Sequence, residues 1–152
     1  IFKTSQEMVT AEIVSVQKMK DAELEKTLAS LDDSTLVHQW ATDSGRVAAG
    51  QETYTANCKA CHGDDLSATM AVAGTKVPLP GLPLTDHQWK FGGKPMDLFN
   101  LINKGSPPES TGNNGAKMEA WGQKLSPKQV AEVVSYIISR VPDDFKSIPP
   151  SQ

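Results

Sequence analysis

The sequence predicts an all-α protein, and three observations support this fold class. Apolar residues recur at helical spacing in several stretches, and no stretch alternates convincingly between apolar and polar residues as a half-buried strand does. N-cap residues precede several of these stretches, and glycine or proline follows them. Hydrophobic residues make up 38% of the 152 residues and charged residues 22%, a composition typical of a folded domain. A chain of this length is expected to form one domain with a substantial core.

The clearest predicted helix lies near the C-terminus. Ser126 is a favourable N-cap, Pro127 suits the first helical position, and Gln129 completes a capping box. The apolar residues that follow have the spacing of a buried helix face: Val130, Val133, Val134, Ile137, Ile138 and Val141. Pro142 is expected to end this helix.

Three further helices are predicted in the middle of the chain. One is expected from Val47 to the cysteines, a second over residues 96–103, and a short third over residues 85–89. Residues 63–83 are rich in glycine, alanine and proline, which favours a loop that wraps around another group. Residues 105–117 are rich in turn-forming polar residues and are also predicted to be a loop.

Residues 1–45 are predicted to form an acidic helical extension of two or three short helices, outside a main domain at residues 46–152. A break with a new N-cap is expected at residues 32–34. The apolar residues of the extension have helical spacing: Val9, Ile13, Val16, Leu24, Leu28 and Leu31. Because the chain begins at Ile1 without an initiator methionine, we expect a processed or excised chain. The extension would then pack on the main domain or lead from a membrane anchor outside this chain.

The charge of the chain indicates which kinds of partner molecule to expect. The formal net charge is −3, so the dense basic face of a nucleic-acid-binding protein is not expected. The region from the cysteines to residue 128 is mildly basic, which suits an acidic protein partner. No apolar run approaches the roughly 18 residues of a membrane-spanning helix.

The residues that carry chemistry are Cys58-Lys59-Ala60-Cys61-His62. Two thiols at this spacing can form thioethers with the two vinyl groups of one porphyrin, and the adjacent histidine then lies under the iron. The pattern therefore predicts one covalent haem c, attached through Cys58 and Cys61 and ligated by His62.

Two other interpretations of the cysteine pair remain open at this point. A thioredoxin-like redox pair would need a βαβ context, and no strand is predicted before Cys58. A zinc site would need a second ligand pair, and only His38 and His87 remain in the chain.

These motifs resemble those of class I c-type cytochromes, and among them the haem domains of cbb3-type cytochrome c oxidase subunit III. The resemblance covers roughly residues 47–141. The matching residues are Gly50, Tyr54 and the Cys58–Gly63 segment, Leu84 to Trp89 followed by Gly92-Gly93, Met118 to Gly122, Leu125-Ser126 and Tyr136. The resemblance implies a cytochrome c fold around one haem. The chain departs from the family where Glu119 follows Met118 in place of proline, where Leu82-Pro83 replaces Pro-Asn, and in having one haem motif.

The second axial ligand of the iron is expected to be Met118. The resemblance places it in the ligand loop of the family, and its position in a flexible loop before a well-capped helix agrees. A methionine opposite a histidine is the usual arrangement in cytochromes c. The alternatives are Met70, Met96, His38 and His87, of which Met96 opens an apolar helix and is expected in the core.

The resemblance implies an electron carrier and not an enzyme in its own right. A low-spin His/Met haem would pass single electrons between donor and acceptor redox proteins of a respiratory chain. Covalent attachment of haem implies the periplasm or another extracytoplasmic compartment. Two alternatives remain: a haem enzyme or gas or redox sensor with a labile sixth ligand, and a cytochrome module of a larger dehydrogenase. The oligomeric state is left open by the sequence.

Overall fold

The computed structural model describes residues 5–151 and divides into two compact units, one that ends at Leu31 and one that begins at Asp32. The first unit contains one helix, α1 (Ser5–Ala29), which is longer than the short helices predicted over residues 1–45. The side chains of Val9, Ile13 and Val16 are 54%, 63% and 50% exposed. Within residues 5–151, no helix combines the length and the apolar character needed to cross a bilayer.

The second unit is mostly helical. Its elements in chain order are α2 (Asp33–Thr35), a π-helical turn (Leu36–Trp40), α3 (Ser44–Asn57), α4 (Lys59–His62), β1 (Thr69–Val72), β2 (Thr75–Pro78), α5 (Pro95–Lys104), a 3₁₀ turn (Trp121–Gln123), α6 (Pro127–Arg140) and a second 3₁₀ turn (Pro142–Phe145). Helices α3 and α5 both pack against α6, which lies at the centre of this unit.

The α6 helix forms as its sequence predicts. The Ser126 side chain accepts the N–H of Gln129 and the Gln129 side chain accepts the N–H of Ser126, so the capping box is complete. The side chains at 130, 133 and 134 are fully buried, as the helical spacing predicts. Burial of each such aliphatic side chain stabilises the fold by about 1.5–3 kcal/mol.

Helices α3 and α6 approach closely at Gly50. A Cβ atom at this position would lie 1.9 Å from the carbonyl oxygen of Glu132, so a side chain cannot be accommodated without separating the helices. One turn further along α3, the Tyr54 ring packs against Tyr136 with centroids 5.3 Å apart. The small residue allows the contact and the aromatic pair fills the space beside it.

The boundary between the units differs from the predicted division at residue 45. Leu36 and Trp40 are 0% and 3% exposed, and their turn packs against α6. The break at residues 32–34 is present, with Asp32 and Thr35 forming a capping box. Residues 32–45 therefore belong to the second unit, because its core needs the two apolar side chains that they supply.

The all-α prediction is incomplete, since β1 and β2 form an antiparallel hairpin inside the predicted loop 63–83. Met70 pairs with Val77 and Val72 with Thr75. The residues between the strands, Ala73 and Gly74, have φ of +50° and +80°, as tight hairpin turns of the primed type require. The β-branched residues on either side of this turn favour strands.

The short helix predicted over residues 85–89 is absent. His87 has a φ of +61°, which is incompatible with a continuing α-helix. The segment is instead fixed by long-range bonds, since His87 Nδ1 and Trp89 Nε1 both donate to the carboxylate of Asp144, the latter at 3.0 Å.

The position of the boundary is tested by two truncations. Removal of residues 1–31 should leave the second unit folded, because the buried residues Leu36 and Trp40 remain in its core. Removal of residues 1–45 should destabilise it by at least about 3 kcal/mol, because Leu36 and Trp40 are lost from the core. Equal unfolding temperatures for the two truncated chains would contradict the boundary at Asp32.

The contact between α3 and α6 is tested by Gly50→Ala. We expect this change to lower stability by about 1–3 kcal/mol, measured by thermal or denaturant unfolding, because the added methyl group overpacks the contact. Gly45→Ala in the same helix is the matched control, since its Cβ would meet only the Asp43 side chain at 3.3 Å. Its stability should be unchanged or slightly raised.

Candidate haem-binding site

An open cavity of about 250 Å³ lies in the second unit, and its walls are mainly apolar. Cys58, Cys61 and His62 contribute to one part of the lining, and Met118 contributes from the loop before α6. Leu98, Leu101, Ile102, Val133 and Ile137 supply aliphatic surface from α5 and α6. The structure thus brings all four predicted site residues to a single cavity.

The attachment segment is fixed by the end of α3. Cys58 is the C-cap of that helix, and its N–H donates to the Tyr54 carbonyl at 2.8 Å. The Tyr54 hydroxyl donates to the Gly63 carbonyl at 2.6 Å and so ties the far end of α4 back to α3. Cys58 is buried and Cys61 is exposed, so the two thiols lie at the inner and outer edges of the segment.

The His62 ring is oriented by a bond from Nδ1 to the Leu82 carbonyl oxygen at 2.9 Å. This bond selects the tautomer in which Nδ1 carries the proton and Nε2 keeps its lone pair for a metal. Burial lowers the pKa of His62 below its ordinary value, although the bond to Leu82 opposes this effect. The ring is therefore held in the neutral form that ligates iron.

The segment that carries Leu82 is itself bonded to the attachment helix. The Gly81 N–H donates to the Cys61 carbonyl at 2.8 Å, and the Ala68 N–H donates to the His62 carbonyl at 2.6 Å. The segment around Leu82 has no regular secondary structure, and it is held beside His62 by backbone hydrogen bonds.

The Met118 backbone is bonded twice to Ser106. The Met118 N–H donates to Ser106 Oγ at 2.8 Å, and the Ser106 N–H donates to the Met118 carbonyl at 2.9 Å. The two competing methionines lie elsewhere. Met70 is in β1 and is 50% exposed. Met96 is in the first turn of α5, and its N–H donates to the Asp33 carboxylate. Neither contributes to the cavity lining.

The other two histidines have separate partners. His38 Nε2 bonds to the Ile148 carbonyl at 2.7 Å and ties the C-terminal segment to the π-helical turn. His87 is 69% exposed and bonds to Asp144, whose hydrogen bond raises the pKa of His87. The Trp89 ring lines the cavity while its N–H is used by the same carboxylate.

The redox-pair interpretation of the cysteines lacks the features that it needs. Burial, followed by the charge of Cys61, raises the pKa of Cys58 to about 11, whereas a catalytic thiol has a lowered pKa. The two strands assigned in residues 5–151 follow the cysteines and form a hairpin, so they supply no βαβ unit.

A zinc site is likewise unsupported. Within the described part of the chain, no three His, Cys, Asp or Glu side chains are grouped closely enough to hold a metal ion.

Covalent haem fits the residues that are present. The cavity opens beside two free thiols, its walls are mainly apolar, and a neutral imidazole and a thioether both reach it. A porphyrin needs apolar surface for its faces, two thiols for its vinyl groups and two axial ligands for its iron.

Several residues of the site were missed by sequence reasoning. Three of them form hydrogen bonds with segments distant in sequence: Leu82, Ser106 and Asn113. The fourth, Asp144, accepts a hydrogen bond from Trp89, more than 50 residues away. The only local signal is the dipeptide Leu82-Pro83, since a proline favours an extended backbone at the residue before it.

Comparison with known proteins identifies the family. The family model described as cytochrome c oxidase, cbb3-type, subunit III matches residues 45–137. The cbb3-type cytochrome c oxidase subunit CcoP of Azospirillum sp. (strain B510) is 30% identical over 97 residues, which are 64% of this chain and 29% of that protein. The corresponding subunit FixP of Rhizobium meliloti is 25% identical over 137 residues, covering 90% of this chain and 44% of the relative.

Two other likenesses extend the comparison. The cytochrome c subunit of the quinone-dependent alcohol dehydrogenase of Gluconacetobacter polyoxogenes is 28% identical, over 69% of this chain and 21% of that protein. The crystal structure of cytochrome cL from Methylophaga aminisulfidivorans superposes with a TM-score of 0.52 at 15% identity, covering 75% of each chain, and shows the cytochrome c fold. The chain spans about three tenths of the length of the first curated relatives. It belongs to the family of cbb3-type cytochrome c oxidase subunit III and is a c-type cytochrome that carries haem c.

Proposed function

We propose that this domain holds one haem c through Cys58 and Cys61, with His62 and Met118 as axial ligands, and passes single electrons between two redox proteins of a respiratory chain. The observation that carries the proposal is the single cavity that these four residues line. A donor and an acceptor would each dock through a small transient contact, as is usual for redox partners.

The ligand pair supports electron transfer rather than catalysis. The haem supplies the one-electron chemistry when it is bound, and the protein supplies the ligands and their surroundings. His62 from one part of the lining and Met118 from another would fill both axial positions, which leaves none for a substrate. A sensor or enzyme would need Met118 to leave, and its backbone is bonded on both sides to Ser106.

The wider setting is also a proposal. The curated relatives are named as subunits of cbb3-type oxidases, and this chain matches about three tenths of their length. We place the domain in the periplasm or an equivalent compartment, where its partners would be other redox proteins. The helical extension, which is predicted over residues 1–45 and in the structure ends at Leu31, would connect the haem domain to an anchor or a partner subunit.

A second candidate is a cytochrome module of a dehydrogenase complex. It is favoured by the likeness to the cytochrome c subunit of a quinone-dependent alcohol dehydrogenase. Both candidates use the same haem site, and they differ in the protein that supplies the electrons. Reduction of the holoprotein by a purified quinone-dependent dehydrogenase, at a rate higher than that with a cytochrome bc1 complex, would favour the second.

Covalent attachment is tested by mass and by a haem-stained denaturing gel. The holoprotein should retain its haem after denaturation and exceed the 16.4 kDa polypeptide by the mass of one haem. Cys61→Ala should keep one thioether and shift the visible bands, whereas the double change of Cys58 and Cys61 to alanine should release the haem. A holoprotein mass equal to that of the bare chain would exclude the proposal.

The axial ligand is tested by Met118→Ala. The weak red-end band of the ferric His/Met form should disappear, and the reduction potential should fall by on the order of 0.1 V or more, since axial ligands set haem potentials over roughly 0.8 V. Visible spectra and redox titration measure the two effects. Met96→Ala and Met70→Ala are the controls and should leave the spectrum unchanged. Loss of the band in either control, with its retention in Met118→Ala, would assign the ligand elsewhere.

A further inference from the structure

The loop between α5 and the 3₁₀ turn at Trp121 is fixed at its base and at its tip by side chains that the proposed function does not use. We propose that Ser106 and Asn113 are positioning residues that fasten this loop, residues 105–118, and thereby keep the Met118 sulfur in place as a ligand. The inference rests on the proposed ligation by Met118, and it concerns what holds that ligand rather than the ligand itself.

Ser106 fastens the base of the loop. Its hydroxyl accepts the Met118 N–H at 2.8 Å, and its own N–H donates to the Met118 carbonyl at 2.9 Å. Both polar groups of the Met118 backbone are thus bonded to one residue across a loop closure of 12 positions. Such a pair fixes the backbone of Met118, which contributes to the cavity lining.

Asn113 fastens the tip of the loop. Its side-chain N–H₂ group donates to the Pro80 carbonyl at 3.0 Å and to the Gly81 carbonyl at 3.2 Å. The Asn113 backbone is held by reciprocal bonds with Ala116, so the side chain starts from a fixed turn. Gly81 immediately precedes Leu82, whose carbonyl orients the His62 ring. One side chain therefore joins the loop of the proposed methionine ligand to the segment that orients the histidine.

The composition of the loop makes these two bonds important. Residues 107–117 contain two prolines, two glycines and four other small polar residues (Ser110, Thr111, Asn113 and Asn114), which build no helix or strand of their own. A polar loop of this length has many conformations unless specific contacts select one. Loss of the Ser106 or the Asn113 hydrogen bonds would let Met118 leave its position more often. A small external ligand could then compete for the iron position that Met118 would fill.

The experiment measures the rate at which cyanide binds to the ferric holoprotein, since cyanide must displace the methionine. Ser106→Ala and Asn113→Ala should each accelerate binding by about threefold to tenfold, the factor that corresponds to one neutral hydrogen bond. Ser106→Thr keeps the hydroxyl and should return the rate towards that of the unchanged protein. The pH at which the red-end ferric band is lost should fall in both alanine variants.

Two matched controls come from the same loop. Ser110 Oγ accepts the Gly112 N–H at 3.1 Å and makes the same kind of bond without involving Met118, so Ser110→Ala should bind cyanide at the unchanged rate. Asn114 has a φ of +51°, which glycine also adopts, so Asn114→Gly should likewise have no effect.

The outcomes separate this inference from the proposed function. An unchanged rate in Ser106→Ala or in Asn113→Ala overturns the positioning role, as does a failure of Ser106→Thr to restore it. If Met118→Ala loses the red-end band while Ser106→Ala binds cyanide at the unchanged rate, Met118 remains the ligand and only the positioning role fails. If Met118→Ala keeps the band, the ligand assignment fails and this inference fails with it.

Discussion

The close approach of α3 and α6 at Gly50 positions the segment that would bind the haem. α6 is anchored by fully buried aliphatic side chains, so its place in the core is set by burial of apolar surface. α3 can lie directly on it because Gly50 has no side chain to meet the Glu132 carbonyl. The same helix continues to Asn57 and is capped by Cys58, so its orientation also fixes where the attachment segment begins. A displacement of α3 at Gly50 would therefore move the cysteines relative to the cavity walls that α6 supplies.

Between α4 and α5 the chain contains no helix, and hydrogen bonds rather than helix packing fix its conformation. A buried backbone group without a partner costs about 1–3 kcal/mol, so an irregular segment is stable only if its polar groups are satisfied. Here the carbonyls of Cys61, His62 and Gly63 accept from Gly81, Ala68 and Tyr54. These bonds hold the residues on both sides of the hairpin, Ala68 and Gly81, against α4. The Leu82 carbonyl reaches the His62 ring as a consequence of that arrangement.

The parts of the structure that could be predicted from the sequence are those with local causes. The capping box at Ser126 and the spacing of the following apolar residues specify α6 without any distant contact. The Cys58–His62 motif also identifies one side of the cavity by itself, because the chemistry depends on adjacent residues. The hairpin had a local signal too, in two short β-prone segments around Ala73-Gly74, but its residues do not alternate regularly between apolar and polar.

Apart from the hairpin, the parts that escaped prediction have distant causes. The conformation at His87 depends on Asp144, and the inclusion of residues 32–45 depends on the packing of Trp40 beside α6. The bonds of Ser106 and Asn113 join segments that are 12 and more than 30 positions apart. No pattern within one stretch of sequence encodes such pairings, since each partner alone is an ordinary side chain or backbone group.

The cavity offers the iron uncharged ligands and mainly apolar walls. The proposed ligands are both uncharged, because burial keeps His62 neutral and a thioether carries no charge. Apolar surroundings disfavour net charge, so they favour the ferrous over the ferric iron and act in the same direction as the thioether. Glu119 contributes a carboxylate to the cavity lining, and this group accepts from Lys124 Nζ at 2.8 Å. The side chain of Asp144 is 7% exposed, and its carboxylate accepts from Trp89 and from His87. The charge of Asp144 is thus met by two donors and that of Glu119 by one, so each of these carboxylates is paired beside walls that are mainly apolar.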